Sequence, residues 1–216
     1  MSGTKEKGFY SLGEEIFNAI THGVGAVLSI AGFVLLVVKA VLSGDTWSLA
    51  SGIVFGLTLI ILYTMSTLYH AITNKTAKKV FRILDHCTIF LLIAGTYTPY
   101  ALITLNGTVG WVIFGILWGV TALGVVLNAV SLEKFKKFSL FCYLAMGWAV
   151  IFTIKTFIEV LNPIGLAFLL AGGFFYTVGI IFYALKKVKY MHSIWHLFVL
   201  AGSIFHFFSI LLYVIK

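Results

Sequence analysis

Residues 190–215 read Tyr190-Met-His-Ser-Ile-Trp-His-Leu-Phe-Val-Leu-Ala-Gly-Ser-Ile-Phe-His-Phe-Phe-Ser-Ile-Leu-Leu-Tyr-Val-Ile215, and no Asp, Glu, Lys or Arg interrupts them. About 20 apolar residues suffice to cross a bilayer as a helix, the form in which each backbone N–H and C=O finds its partner inside the segment. Two histidines, His192 and His196, stand one helical turn apart at the mouth of this run. Ionisable rings at membrane depth are costly and need partners. The stretch therefore fixes a membrane helix and asks what its two rings face.

The rest of the chain repeats the pattern. Of 216 residues, 61% are hydrophobic and 10% charged, with a mean hydropathy of +1.06; soluble domains carry about 25% charged residues. Apolar stretches of spanning length fall near 17–40, 49–72, 83–105, 109–130, 139–161, 163–185 and 193–215. Ser43-Gly44-Asp45, Asn106-Gly107 and Asn162-Pro163 break them with turn-forming residues. The runs are too long for barrel strands with their ten-residue alternation. The expected fold is one all-α integral membrane domain over 1–216, a bundle of seven transmembrane helices. The first run lacks the pattern of a cleaved signal peptide and reads as a retained span. Cys87 and Cys142 form no motif and read as small buried side chains.

Twelve of the fifteen basic residues fall on one side of this arrangement. They are Lys5 and Lys7; Lys75, Lys78, Lys79 and Arg82; Lys134, Lys136 and Lys137; and Lys186, Lys187 and Lys189. The positive-inside rule then sets the N-terminus in the cytoplasm and the C-terminus outside. The net charge of +8 reads as a topology signal and as contacts to anionic lipid, not as a nucleic-acid surface.

The polar residues gather at one depth. His22 begins the first span, His70 ends the second, Asp85 and His86 begin the third, and His192 and His196 begin the seventh. His206 lies ten residues beyond His196, about 15 Å deeper along the helix, and reads as an interior hydrogen-bonding group. Helical phase places His192, His196, Val199, Ser203 and His206 on one stripe, and Gly52, Gly56, Leu59, Tyr63, Ser66 and His70 on another. Gly52 and Gly56 have the small-residue spacing that lets membrane helices approach closely. Glu15, Asn18 and His22 align likewise, whereas Glu14 reads as solvated and His86 as interfacial or loop-contacting.

His192 and His196 can offer two nitrogens to one ion, and His70 stands at the depth to supply a third. Three histidines and a water make the open coordination of catalytic zinc, although imidazole also suits copper, iron and nickel. Asp85 is placed to accept a proton from such a water, and Ser66, one turn before His70, to orient it or to bind substrate. Spacing alone leaves interfacial anchors, interhelical hydrogen bonds and haem ligation open. His192-Ser-Ile-Trp-His196 lacks the glutamate of the zincin helix, and no Gly-x-Ser-x-Gly elbow is present.

Together, Glu15-x-x-Asn18-x-x-Thr21-His22, Ser66-x-x-x-His70, Leu84-Asp85 and His192-x-x-x-His196 resemble the signature set of the haemolysin III branch of the progestin and adipoQ receptor superfamily. That resemblance implies a seven-helix cell-membrane protein with zinc on His70, His192 and His196. It also implies Asp85 beside the metal's water and Ser66 nearby. Similarity to alkaline ceramidases and adiponectin receptors implies hydrolysis of a membrane-lipid amide or ester, with a role in membrane lipid homeostasis. A sensor with structural zinc and a cytolysin are the alternative expectations. The animal receptors' long soluble N-terminal region has no counterpart here, which points away from hormone binding.

Overall fold

A computed structural model describes residues 10–185 and 187–216; Lys5, Lys7 and Lys186 lie outside the described residues. Among these, every regular element is helical: α1 (Leu12–Ser43), α2 (Thr46–Ala71), α3 (Lys75–Pro99), α4 (Gly107–Gly147), α5 (Ile154–Val160), α6 (Pro163–Ala184) and α7 (Met191–Tyr213). A π-helical turn, Tyr100–Leu105, extends α3, and a 3-10 stretch, Trp148–Thr153, joins α4 to α5. Among the described residues, six helical segments are long and apolar enough to cross a membrane; Gly107–Val160, at 54 residues, is the longest of them.

Caps written in the sequence mark the ends. Ser11 and Glu14 form a reciprocal capping box on α1. Gly44, at φ 69°, closes that helix in the left-handed conformation. Asp45, Asn74 and Asn162 cap α2, α3 and α6, with Pro163 where its missing N–H is harmless. The link between α2 and α3 is only 72–74, so Lys75, Lys78, Lys79 and Arg82 ride on the first turns of α3 rather than in a loop.

Helix α1 is largely inside out relative to a helix of a soluble bundle. In α1 the buried stripe is Glu14, Glu15, Asn18, His22, Gly25, Ser29 and Gly32, whereas Ile16, Ile20, Val24, Val27 and Val34 are exposed. Lipid solvates aliphatic side chains as well as another helix does, so small and polar residues, which allow close packing and hydrogen bonds, turn inward. A Cβ on Gly25 would stand 2.6 Å from the Tyr63 ring, and one on Gly56 2.5 Å from Phe33. Gly52 leaves only ordinary contact distances to Leu36. By these contacts α1 lies on α2 and α7, α2 on α3, α3 on α4, and α6 on α7. Cys87 and Cys142 are buried and free, as expected.

The segment expected as two separate spans is helical throughout except at Ser131, where φ −162° and ψ 92° break it. Ser139 Oγ donates to Asn128 Oδ1 at 2.7 Å, and Asn128 Nδ2 donates to the Tyr143 hydroxyl at 3.4 Å. Residues 15 apart on a straight helix would be about 22 Å distant, so the chain folds back at Ser131 into two arms. Where the second arm tightens, Tyr97 donates its hydroxyl to the Gly147 carbonyl and accepts from Val150 N–H. Backbone groups freed within an apolar layer are thereby satisfied by a side chain.

Candidate metal centre

The centre is assembled from the C-terminal turn of α2 and the N-terminal turns of α1, α3 and α7. Tyr190, at φ 63°, swings the chain into α7, and its N–H donates to Glu14 Oε1 at 2.8 Å. Glu14 is therefore buried and doubly used, tying α7 to the capping box of α1, and is not the solvated residue its position suggested.

His70, His192 and His196 each bring one ring nitrogen to within 4.8 Å of the other two. The Nε2 atoms of His192 and His196 are 3.1 Å apart. Two nitrogens on a tetrahedral zinc would be about 3.3 Å apart, so the spacing fits a shared ion. His70 and His196 are buried and His192 is half-buried. His70 Nδ1 meets Glu15 Oε2 at 2.6 Å. An ionised carboxylate only accepts, so Nδ1 carries the proton and Nε2 presents its lone pair. That Nε2 is buried and makes no hydrogen bond in the protein, which is the state expected of a metal ligand.

The support behind the rings was not readable from spacing. Glu15 also pairs with Lys78 Nζ at 3.0 Å, and Lys78 donates to the His70 carbonyl at 3.4 Å. A carboxylate behind a ligating histidine fixes its tautomer and ring plane and raises its basicity. Asn18 accepts from the Ser193 hydroxyl at 2.6 Å, joining α1 to α7 between the two histidines. The His22 ring stacks on His196, with centroids 3.6 Å apart, and meets Tyr63 edge-on. Tyr10 stacks on His192 with centroids 4.5 Å apart. Spacing places Glu15, Asn18 and His22 on an interior stripe without assigning them a task, and Tyr10 precedes the first span, where helical phase carries no signal.

The remaining candidates fall around this group. Ser66 is buried one turn below His70, and its hydroxyl makes no hydrogen bond. Most membrane-helix hydroxyls turn back on their own helix, as Thr67 does on the Tyr63 carbonyl at 2.7 Å; Ser66 does not. Asp85 stands outside the three converging nitrogens, buried on the wall of an adjoining cavity. His86 Nδ1 lies 3.6 Å from the Asp85 carboxylate and 2.9 Å from the Arg82 carbonyl, which ties it to the head of α3 rather than to a loop. His206 is buried against Tyr176, but its Nδ1 makes no hydrogen bond, contrary to expectation.

The cavity holds about 580 Å³, inside the range of small-molecule sites. Its wall is largely aliphatic and aromatic, from α3, the second arm of α4, α6 and α7, with His22 and Asp85 at the metal end. The arrangement can hold a divalent ion on three neutral imidazoles beside a carboxylate, next to space for an apolar ligand.

Comparison with known proteins agrees with this architecture. The family described as Haemolysin-III related matches residues 10–207. The chain is 46% identical to Hemolysin-3 of Bacillus cereus over 183 residues, covering 85% of this chain and 84% of that one. It is 43% identical to a Hemolysin-3 homolog of Bacillus subtilis over 187 residues, covering 87% and 88%. The human monocyte to macrophage differentiation factor is 29% identical, over 85% of this chain and 77% of its own. No solved structure matches the chain. Family and helices together make this chain a haemolysin III protein, a multi-pass protein of the cell membrane.

Proposed function

We propose that the chain binds one zinc ion through His70, His192 and His196 and hydrolyses an amide or ester of a membrane lipid at that site, contributing to membrane lipid homeostasis. The supporting observation is the buried, unpaired His70 Nε2 aimed at the His192–His196 pair beside a largely apolar cavity. When bound, zinc supplies a Lewis acid and a water acidic enough to react near neutral pH. The chain does the rest. Glu15 and Lys78 hold His70 in register, Asp85 takes the water's proton and passes it to the leaving group, and Ser66 orients the reacting carbonyl. The cavity walls seat the acyl chain and exclude bulk water.

The same reading makes residues 1–216 a single bundle of seven crossings, with the two arms of Gly107–Val160 crossing separately. The fold-back at Ser131 and the length of that segment support it. The N-terminus is cytoplasmic and the C-terminus outside; Lys78, Arg82 and Lys136 cluster at the end that carries the site. A C-terminal reporter found in the cytoplasm would overturn this orientation.

A second reading, a receptor-like protein with structural zinc, draws on the position of Asp85 outside the converging nitrogens. One experiment separates the two. Purified protein carries one zinc per chain, His192→Ala carries none, and Asp85→Ala keeps zinc but loses hydrolysis of ester and amide lipids in vesicles. Zinc in His192→Ala sinks the site, and full turnover in Asp85→Ala sinks the mechanism. Lysis, the activity in the relatives' name, follows here from altered lipids; vesicle lysis by pure protein without lipid turnover would reverse that order.

A further inference from the structure

The cavity runs well past the metal centre, and its far end is not apolar. Asp85, His22 and Trp195 line it near the site; Tyr100, Tyr176 and His206 line it beyond. His206 is about 15 Å above His196 along α7, and Tyr100 follows Asp85 by 15 residues, about 22 Å along α3. His206 Nδ1 is buried and makes no hydrogen bond in the protein, and the buried Tyr100 hydroxyl has beside it only Ser209, whose own proton goes to the Gly165 carbonyl. Their surroundings are not careless about polar atoms. Ser203 Oγ serves the hydroxyls of Tyr63 and Tyr176 at 2.7 and 2.9 Å, and Ser209 donates to the Gly165 carbonyl at 2.7 Å. Gly172 leaves room for the imidazole, since a Cβ there would stand 2.6 Å from His206 Nε2. Unpaired buried groups are few in folded proteins and ask for a partner.

We propose that this end is a polar subsite for an oxygen substituent, a hydroxyl or keto group, on the chain of a lipid whose hydrolysable carbonyl sits at the metal centre. A chain oxygen accepts from the Tyr100 hydroxyl or from a His206 N–H, while the aliphatic and aromatic walls between the two ends hold the methylenes. An unsubstituted chain fills the same space and leaves His206 without a partner. The inference rests on the lipid reading of the cavity and narrows its substrate class.

The test is equilibrium binding of radiolabelled stearate, and of stearate hydroxylated at mid-chain, to the purified full chain in nanodiscs. Neither probe contains a hydrolysable bond, so binding is read whether or not the protein turns lipid over. The hydroxylated chain binds about fivefold tighter, as one net hydrogen bond allows. In Tyr100→Phe, which deletes only an oxygen, and in His206→Leu, the ratio of the two affinities falls to about one. Equal binding of the two probes, or a preference that survives both substitutions, overturns the inference alone. Binding of neither probe overturns the lipid reading with it, and the zinc content of the same preparation reports separately on the metal centre.

Discussion

Where α1 meets α2 and α7, polar side chains cross-link the helices, Glu15 with His70 and Lys78, Asn18 with Ser193, Tyr63 with Ser203, while His22, Ser66 and His70 Nε2 keep buried polar atoms without a hydrogen bond. Across the bundle, α3, the second arm of α4 and α6 enclose a cavity, and two of the bordering segments leave regular α geometry, at Tyr100–Leu105 and Trp148–Thr153. The first side is cross-linked by hydrogen bonds among buried charged and amide side chains. The second, where glycines such as Gly124 are pressed against rings as well, encloses open volume. On the proposed function the difference separates two tasks: ligand rings must keep their geometry to a fraction of an ångström, whereas a chain-binding wall must accept many conformers. One fold meets both by placing rigidity on one face and space on the other.

Substitutions can break or sharpen this contrast. The largest effect is expected at Glu15→Gln, which keeps the shape but removes the charge behind His70. Zinc affinity measured by competition with a chelator should fall by about 10–100-fold; an unchanged affinity would leave the engaged side without its central feature. Next is Gly25→Ala, which drives a methyl into the buried Tyr63 ring. Thermal unfolding in detergent should show a loss of about 1–3 kcal/mol, the usual range for overpacking. Tyr97→Phe, on the cavity side, removes the hydroxyl that bridges Gly147 and Val150. Its expected cost is about 1 kcal/mol, with faster amide exchange confined to residues 147–153. The smallest effect belongs to Gly173→Ala. That glycine borders the cavity, and a Cβ there meets nothing within 4 Å. Stability should hold or rise by up to about 1 kcal/mol, since alanine favours helix over glycine; a loss as large as that of Gly25→Ala would erase the contrast between the two sides.

The legibility of the site divides along similar lines. His70, His192 and His196 were readable as a group because each sits near a span end, and span ends share a depth. Their mutual approach was not, because rotation of α2 against α7 depends on which small residues pack between α1 and its neighbours. Glu14 and Glu15 make the point more sharply. Adjacent in sequence and alike in chemistry, one closes a helix cap and catches the start of α7, and the other backs a ligand ring. The Ser11-x-x-Glu14 spacing marks the cap locally, but nothing local shows that Glu14 also catches α7 or that Glu15 meets His70. The stretch between the fourth and fifth apolar runs misled in the opposite way. Its lysines suggested a loop, yet helix continues on both sides of a single broken residue, Ser131, because Asn128, Ser139 and Tyr143 join the arms directly.

By itself the sequence determined that the chain lies in a membrane, where most of its helices run, and which side chains share one depth. Those properties follow from the length of apolar runs and from helical phase, both of which are local. Only the tertiary structure decided that three imidazoles from two distant helices face one point, that a carboxylate and a lysine stand behind one of them, and that open space lies beside them. Such facts depend on interhelical packing, which in lipid is set by close contact and hydrogen bonds between residues far apart along the chain.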